Sequence, residues 1–229
     1  MLYIIATPIG NLDDITLRAL NILRECDIVV AEEPTITKKL LFKYDISKPL
    51  WRYHEQSRET ELDKIISVAY HQKIAYVTSA GTPGISDPAG RLVEFARKGE
   101  IEIVAIPGAS ALTAFISISG RDFQHFHFVG FLPHKKGRQT ILKNLAEVNP
   151  SSVIRQSRTS WPIIFYERGT RIPKLIEELK MFFDFGEIII AKELTKIHES
   201  AQYFDLNDKI EFNEKGEFVV GFIPSRKKL

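Results

Sequence analysis

Three times in its N-terminal half the chain passes from a short apolar run directly into a loop of glycine, proline and small side chains. Leu2–Ala6 leads into Thr7-Pro8-Ile9-Gly10-Asn11, and Lys73–Val77 leads into the stretch from Thr78 to Pro88. Ile101–Ala105 leads into Pro107-Gly108-Ala109-Ser110-Ala111. Uninterrupted apolar runs of this length, Asp27–Ala31 included, read as strands buried on both faces. Between them lie helical patterns. Leu17, Leu20 and Leu23 fall on one face of a helix that Asp14 is placed to cap, and Leu62, Ile65, Ile66 and Ala69 form a second stripe. Strands separated by helices imply a mostly parallel sheet. In such a sheet the loops at the carboxyl ends of the strands gather at one edge, where ligands bind. Glycine lets backbone approach a ligand closely, and the loop from Thr78 to Pro88 is too long for a plain turn. A shared ligand site is the expectation.

The texture changes near residue 120. Beyond it come strand patterns at Phe126–Phe131, Pro162–Glu167, Glu187–Lys192 and Glu217–Pro224, with helical patterns at Arg138–Glu147 and around Ile172, Leu175, Ile176 and Leu179. The expected fold is α/β in two domains. Residues 1–119 carry a mostly parallel sheet and the Gly/Pro-rich loops, and residues 120–229 carry a mixed sheet. The segment from Asn149 to Trp161 lacks periodicity and reads as a loop. The uncharged stretch from Ile103 to Gly120 is broken by proline, glycine and serines, so it reads as strand, turn and helix rather than a membrane span.

With 31 basic and 29 acidic residues the net charge is +2, too balanced to announce a nucleic-acid binder, so any such role must rest on local patches. The single Cys26 excludes a disulfide scaffold and fits a reducing compartment. No secretory leader is read in the opening residues, and the expected location is cytoplasmic. No G-x-G-x-x-G follows the first strand, and there is no P-loop, no H-E-x-x-H and no paired C-x-x-C. No metal site is expected. His125 and His127, the closest histidine pair, read as strand packing.

The opening LYIIATPIGNLDDITLRA from Leu2 to Ala19 resembles that of the ribosomal RNA small-subunit methyltransferase I family, of the tetrapyrrole methylase-like superfamily. The likeness continues in AGTPGISDP from Ala80, IPGASAL from Ile106, GFLPHKKG from Gly130 and FYE from Phe165. KELTKIHE from Lys192 and GEFVV from Gly216 complete it, in family order along nearly the whole chain. The resemblance implies S-adenosylmethionine as cofactor, bound in a cleft between the two domains. It further implies methylation of a cytidine ribose 2′-hydroxyl in small-subunit (16S) rRNA, with the rRNA or the 30S subunit as partner, and a homodimer. By the superfamily pattern, cofactor contacts fall on Pro8, Ile9, Ser79, Ala80, Gly81, Gly84, Ser110, Ala111 and Tyr166, with the strands around Ala191 and Glu217 beside the adenine. Two alternatives stay open. One is a methylase of the same fold acting on a tetrapyrrole or another RNA site, and the other is a non-catalytic RNA- or ribosome-binding relative.

A ribose hydroxyl is a poor nucleophile until its proton leaves, so a nearby base would help. Glu32, Glu33 and Asp87 are the carboxylates in the expected loops, each with a cap or loop role as its plainer reading. Phosphate contact needs cations, for which Lys135, Lys136, Arg138, Arg168 and Arg171 are the candidates, with Lys143, Arg155, Arg158 and the tail Arg226-Lys227-Lys228 behind them. Trp161 is a candidate for base stacking, whereas Phe131 and Tyr166 read first as core. The chain also departs from the family pattern. Glu32-Glu33-Pro34-Thr35 stands where the family has E-D-T-R, Ser79 replaces an aspartate, and Arg168-Gly169-Thr170 replaces S-P-H. If Ser79 lines the pocket, Ser79→Asp should tighten cofactor binding.

Overall fold

The computed structural model describes residues 1–148 and 161–225. The chain forms two compact units, Met1–Ala111 and Leu112–Leu229. The first holds β1 (Leu2–Ile5), α1 (Leu17–Glu25), β2 (Ile28–Ala31), α2 (Pro34–Lys43), β3 (Leu50–Arg52), α3 (Glu59–Ala69), β4 (Ile74–Val77), α4 (Ala89–Lys98) and β5 (Ile103–Ile106). Its sheet runs β3-β2-β4-β1-β5 with every described pairing parallel. Successive residues of each strand face opposite sides. Tyr3, Ile5, Val29, Ala31, Ala75 and Val77 therefore pack with Leu20 and Leu23 of α1 and Leu40 and Leu41 of α2. Leu2, Ile28, Val30, Ile74 and Tyr76 pack with Leu62, Ile65 and Ile66 of α3 and Leu92 and Ala96 of α4. Each buried aliphatic side chain contributes about 1.5–3 kcal/mol.

The strand–helix alternation is as the sequence indicates, but two helices and a strand were not legible in it. β3 is only three residues long, α2 starts at Pro34 behind the Glu33 cap, and α4 follows directly on the glycine-rich loop. One cap also differs. Thr16, with its hydroxyl oxygen accepting from the Ala19 amide at 3.1 Å, caps α1, while Asp14 lies in a short 3-10 turn, Leu12–Asp14. Thr16 holds the extended backbone that a cap requires, two residues nearer the first buried leucine. The Ile103–Gly120 stretch is strand β5, a turn, and helix α5 (Ala111–Ile118). Among the described residues no helix is long and apolar enough to cross a membrane.

The second unit takes up α5 almost whole, because Phe115 is fully buried against Gly221. It continues through β6 (His127–Phe131), α6 (Arg138–Val148), β7 (Ile163–Arg168), α7 (Ile172–Lys180), β8 (Gly186–Lys192), β9 (Ser200–Asp205) and β10 (Glu217–Pro224). The sheet order is β6-β7-β10-β8-β9; β6 and β7 are parallel and the other pairings antiparallel, so the sheet is mixed as expected. Leu142 and Leu145 of α6 and Leu175, Ile176 and Leu179 of α7 cover one face. Strand β9, half exposed and polar, escaped the sequence pattern. The expected loop of 149–160, with Arg155 and Arg158, lies outside the described residues, as does the tail Arg226-Lys227-Lys228.

A bulge interrupts β6. Phe128 pairs with Ile164 and Gly130 with Phe165, leaving Val129 unopposed, and Gly130 adopts φ +64°. The extra residue shifts the strand's alternation by one. Phe128 and Phe131, three apart, consequently both lie against Tyr166, with ring centroids at 5.0 and 5.5 Å.

Candidate functional site

The three Gly/Pro-rich loops follow β1, β4 and β5, which are neighbours in one sheet, and hydrogen bonds stitch them together. Thr7 and Gly81 exchange backbone bonds, N to O, at 2.9 and 3.0 Å. The Thr7 hydroxyl donates to the Thr78 carbonyl at 3.1 Å, and the Thr82 hydroxyl donates to the Ala109 carbonyl at 3.0 Å. The third loop meets the first where a Cβ on Gly108 would stand 3.1 Å from that of Ala6. Gly81 sits at φ +82°, where L side chains are strained, and a Cβ there would lie 3.2 Å from Ile9 Cγ2. The structure thus brings together Pro8, Ile9, Ser79, Ala80, Gly81, Gly84 and Ser110 in the first unit, with Ala111 next in the chain. Pro8, Gly81 and Ser110 are buried, and Ala80 and Gly84 are exposed at the surface of this cradle.

The carboxylates of the cradle are committed. Asp87 accepts from the amides of Gly84, Ile85 and Ala89 and so folds the tip of the second loop onto the start of α4. Glu33 accepts from the Thr35 hydroxyl at 2.9 Å and faces Arg52 at 3.5 Å; the Thr35 bonds hold its carboxyl below the usual range. Glu32 Oε2 takes the Thr78 hydroxyl, the Ser79 amide and the Ser79 hydroxyl at 3.0, 2.9 and 2.7 Å. Asp87 thus carries the loop role that was its plainer reading, Glu33 stands at the N-cap position of α2 with its carboxylate on the Thr35 hydroxyl, and Glu32 pins the entry of the second loop.

The Glu32 contacts add a stability cost to Ser79→Asp that the sequence did not show. The Ser79 hydroxyl is turned onto Glu32, so an aspartate would set a second carboxylate against the first. Ser79→Asp is expected to lower stability by about 1–3 kcal/mol through the lost charge-assisted bond and the new repulsion. Glu32→Gln in the same chain should recover most of it, because the glutamine amide can donate to the new carboxylate. Thermal melting of the two variants decides the matter: a Ser79→Asp protein as stable as the parent would mean that Ser79 does not lean on Glu32.

In the second unit Tyr166 lies between Phe128 and Phe131, and burial pushes its phenol up. Phe131 is 57% exposed, so it is a surface aromatic and not the core residue expected of it. Trp161 is exposed, but His125 stacks on one of its faces at 5.3 Å with the rings 18° apart. Ala191 is fully buried between β9 and β10. Glu217 is exposed; its amide donates to Glu193 Oε1 at 2.7 Å, and its carboxylate meets Lys196 at 2.9 Å. That amide and the Lys196 ammonium hold the Glu193 carboxyl below its usual range. A carboxyl whose folded value is lowered stabilises above its unfolded value and loses that contribution as the pH falls through the folded one. Glu193→Gln should therefore be less stable than the parent at neutral pH by about 0.5–1 kcal/mol, the difference vanishing in acid. Denaturant melts at pH 7 and pH 3 check this; an equal gap at both would exclude the charge as its source.

The candidate cations separate into two groups. Lys135, Lys136 and Arg168 are exposed, and Lys143 is exposed beside Glu147 at 3.8 Å. Arg138 is buried, with 3% of its surface accessible. Its Nε donates to Glu178 at 2.6 Å and its Nη1 to Glu167 at 3.2 Å. It is therefore not a phosphate contact, because its charge is spent inside the protein. Arg171 is half buried and pairs with Glu167 at 3.1 Å through Nε. Glu167 and Glu178 escaped the sequence reading. The signal was the alternation in β7, where Glu167 shares the inward face of Phe165 and so needs a buried cation.

Residues 1–204 match the family model described as Tetrapyrrole (Corrin/Porphyrin) Methylases. Among curated relatives, the ribosomal RNA small subunit methyltransferase I of Leptospira biflexa is 38% identical over all of this chain and 92% of its own length. That of Thermotoga maritima is 37% identical over 96% of each chain. Among solved structures the methyltransferase CobJ covers 97% of this chain and 93% of its own, with a TM-score of 0.70 at 18% identity. Diphthine synthase covers 98% of this chain and 89% of its own, with a TM-score of 0.72 at 15% identity. At those identities the structural likeness is one of fold.

Proposed function

This chain belongs to the tetrapyrrole methylases and, within them, to the ribosomal RNA small subunit methyltransferase I family, and on that premise we propose that it transfers a methyl group from S-adenosylmethionine to small-subunit rRNA. The acceptor in this reading is the ribose 2′-hydroxyl of a cytidine, and the work is done in the cytoplasm by a homodimer. The observation that carries the cofactor reading is the stitched cradle at the carboxyl ends of β1, β4 and β5. Its small side chains leave backbone at Ala80 and Gly84 open to a ligand. The Glu32 carboxylate beneath Ser79 gives the cradle a negative charge suited to a cation. These residues fit S-adenosylmethionine, a small cation with an amino-acid tail and an adenine.

In this reading Pro8, Ile9, Ser79, Ala80, Gly81, Gly84, Ser110, Ala111 and Tyr166 hold the cofactor. When bound it supplies an electrophilic methyl carbon on a sulfonium. Glu32, Glu33 and Asp87 are already occupied as acceptors of hydrogen bonds within the first unit. The rate then rests on alignment of the hydroxyl with the methyl carbon, which can supply about 7–11 kcal/mol. Lys135, Lys136 and Arg168 hold the phosphates, while Phe131 offers an exposed ring for a base.

Mapping 2′-O-methylation on rRNA from cells with and without this protein tests the assignment. Loss of one cytidine modification in the cells lacking it is the expected result, and an unchanged map would overturn the substrate. Calorimetry should show about one S-adenosylmethionine per chain, and light scattering about twice 26.2 kDa.

A further inference from the structure

We infer that Glu167, Arg138 and Arg171 form a positioning clamp that fixes the 132–137 loop and so presents Lys135 and Lys136 to RNA. The RNA part of this inference rests on the function proposed above; the clamp itself does not. Glu167 is buried and accepts from three donors: Arg138 Nη1 at 3.2 Å, Arg171 Nε at 3.1 Å and the Arg168 amide at 2.9 Å. The two side chains come from opposite ends of the loop's supports. Arg138 begins α6 immediately after Gly137, and its Nε bond to Glu178 ties that end to α7. Arg171 reaches back to the loop's start, where Nη2 donates to the Leu132 carbonyl at 2.8 Å and Nη1 lies 3.3 Å from His134 Nδ1. One carboxylate thereby holds both ends of the loop. The same carboxylate fixes the backbone of Arg168, the third exposed cation.

The chemistry suits this role. Two guanidiniums and two carboxylates neutralise one another, and buried ion clusters are commonly no more stabilising than apolar packing in their place. What they provide is geometry. Arg171 bonds a carboxylate and a carbonyl through two different nitrogens, Nε and Nη2, held in the planar fork of a guanidinium; a lysine has a single ammonium nitrogen on a flexible stem and lacks that fixed spacing. Two of the candidate arginines are thus scaffold for the lysines between them.

The test uses the full chain with Arg171→Ala, Arg171→Lys and Lys135→Ala/Lys136→Ala, singly and combined. Loop hydrogen exchange is followed without RNA, and binding of a labelled decoding-region RNA oligonucleotide is measured at fixed salt. Both Arg171 variants should speed exchange in the 132–137 loop by about tenfold while β7 and α7 stay protected. Both should weaken RNA binding by a similar factor, about fivefold, and Arg171→Ala should add little once the lysines are gone. Unchanged loop exchange overturns the clamp. So does rescue of RNA affinity by Arg171→Lys, or a loss that adds fully to that of the lysines, because either makes Arg171 a direct phosphate contact. Faster loop exchange with RNA affinity indifferent to every variant, the lysine pair included, supports the clamp and removes the RNA reading.

Discussion

Gly81→Val is expected to weaken S-adenosylmethionine binding about a hundredfold, equivalent to about 2.7 kcal/mol. Two effects add at this position. The backbone holds φ +82°, a conformation that costs an L residue about 1–2 kcal/mol and a β-branched one more. The new Cβ would also stand 3.2 Å from Ile9 Cγ2, and the valine methyls reach further. Relief of that contact must move Ile9 or break the pair of backbone bonds between Thr7 and Gly81, and either separates the first loop from the second. Gly84→Ala is the control, since φ is +93° there but nothing lies within 4 Å of a Cβ. It should incur only the backbone strain and bind at most about tenfold more weakly. Calorimetry on both variants, with melting curves to confirm folding, makes the comparison. A Gly81→Val protein that binds like the parent would show that the stitched loops are not the cofactor cradle.

The second large effect is on stability. Glu167→Gln should destabilise the protein by about 3 kcal/mol, because removing one partner leaves a buried cation uncompensated. Arg138 would keep Glu178 at 2.6 Å, but Arg171 would lose the carboxylate it meets at 3.1 Å. For a unit of this size that loss corresponds to a fall in melting temperature of about 10 °C or more. Adding Arg171→Met should bring back part of the loss, since the guanidinium left without its carboxylate then goes and an apolar side chain of similar length fills the space. A single substitution that melts with the parent, or a double that is worse by the full sum, would mean that Glu167 and Arg171 are not energetically coupled.

Much of this molecule was legible from local pattern. Strands buried on both faces must be apolar throughout, so β1, β2 and β4 announced themselves within a residue or two, as did the apolar edge strand β5, of which only Ile106 is buried. Glycines and prolines after β1, β4 and β5 marked the loops, and a parallel sheet leaves those loops at one edge, so the cradle followed from sequence and topology alone. The stripes of α1 and α3 were equally plain, whereas β3 and β9 were too short or too polar to show a period.

What the sequence could not decide is which like residues do which task. Lys135, Lys136 and Arg138 stand within four positions, yet the lysines are at the surface and the arginine is inside. Glu167 and Glu178, 29 and 40 residues further on, make that choice by supplying buried carboxylates. Ser79 was likewise readable as a loop residue, but its hydroxyl is claimed by Glu32, 47 residues earlier, through the pairing of β2 with β4. The outward turn of Phe131 depends on the bulge at Val129, which a period of two does not foresee. Periodicity and turn chemistry act between neighbours in the chain and are written there. The desolvation of a charge is decided by whichever distant element packs against it, and only the assembled sheets and helices determine that.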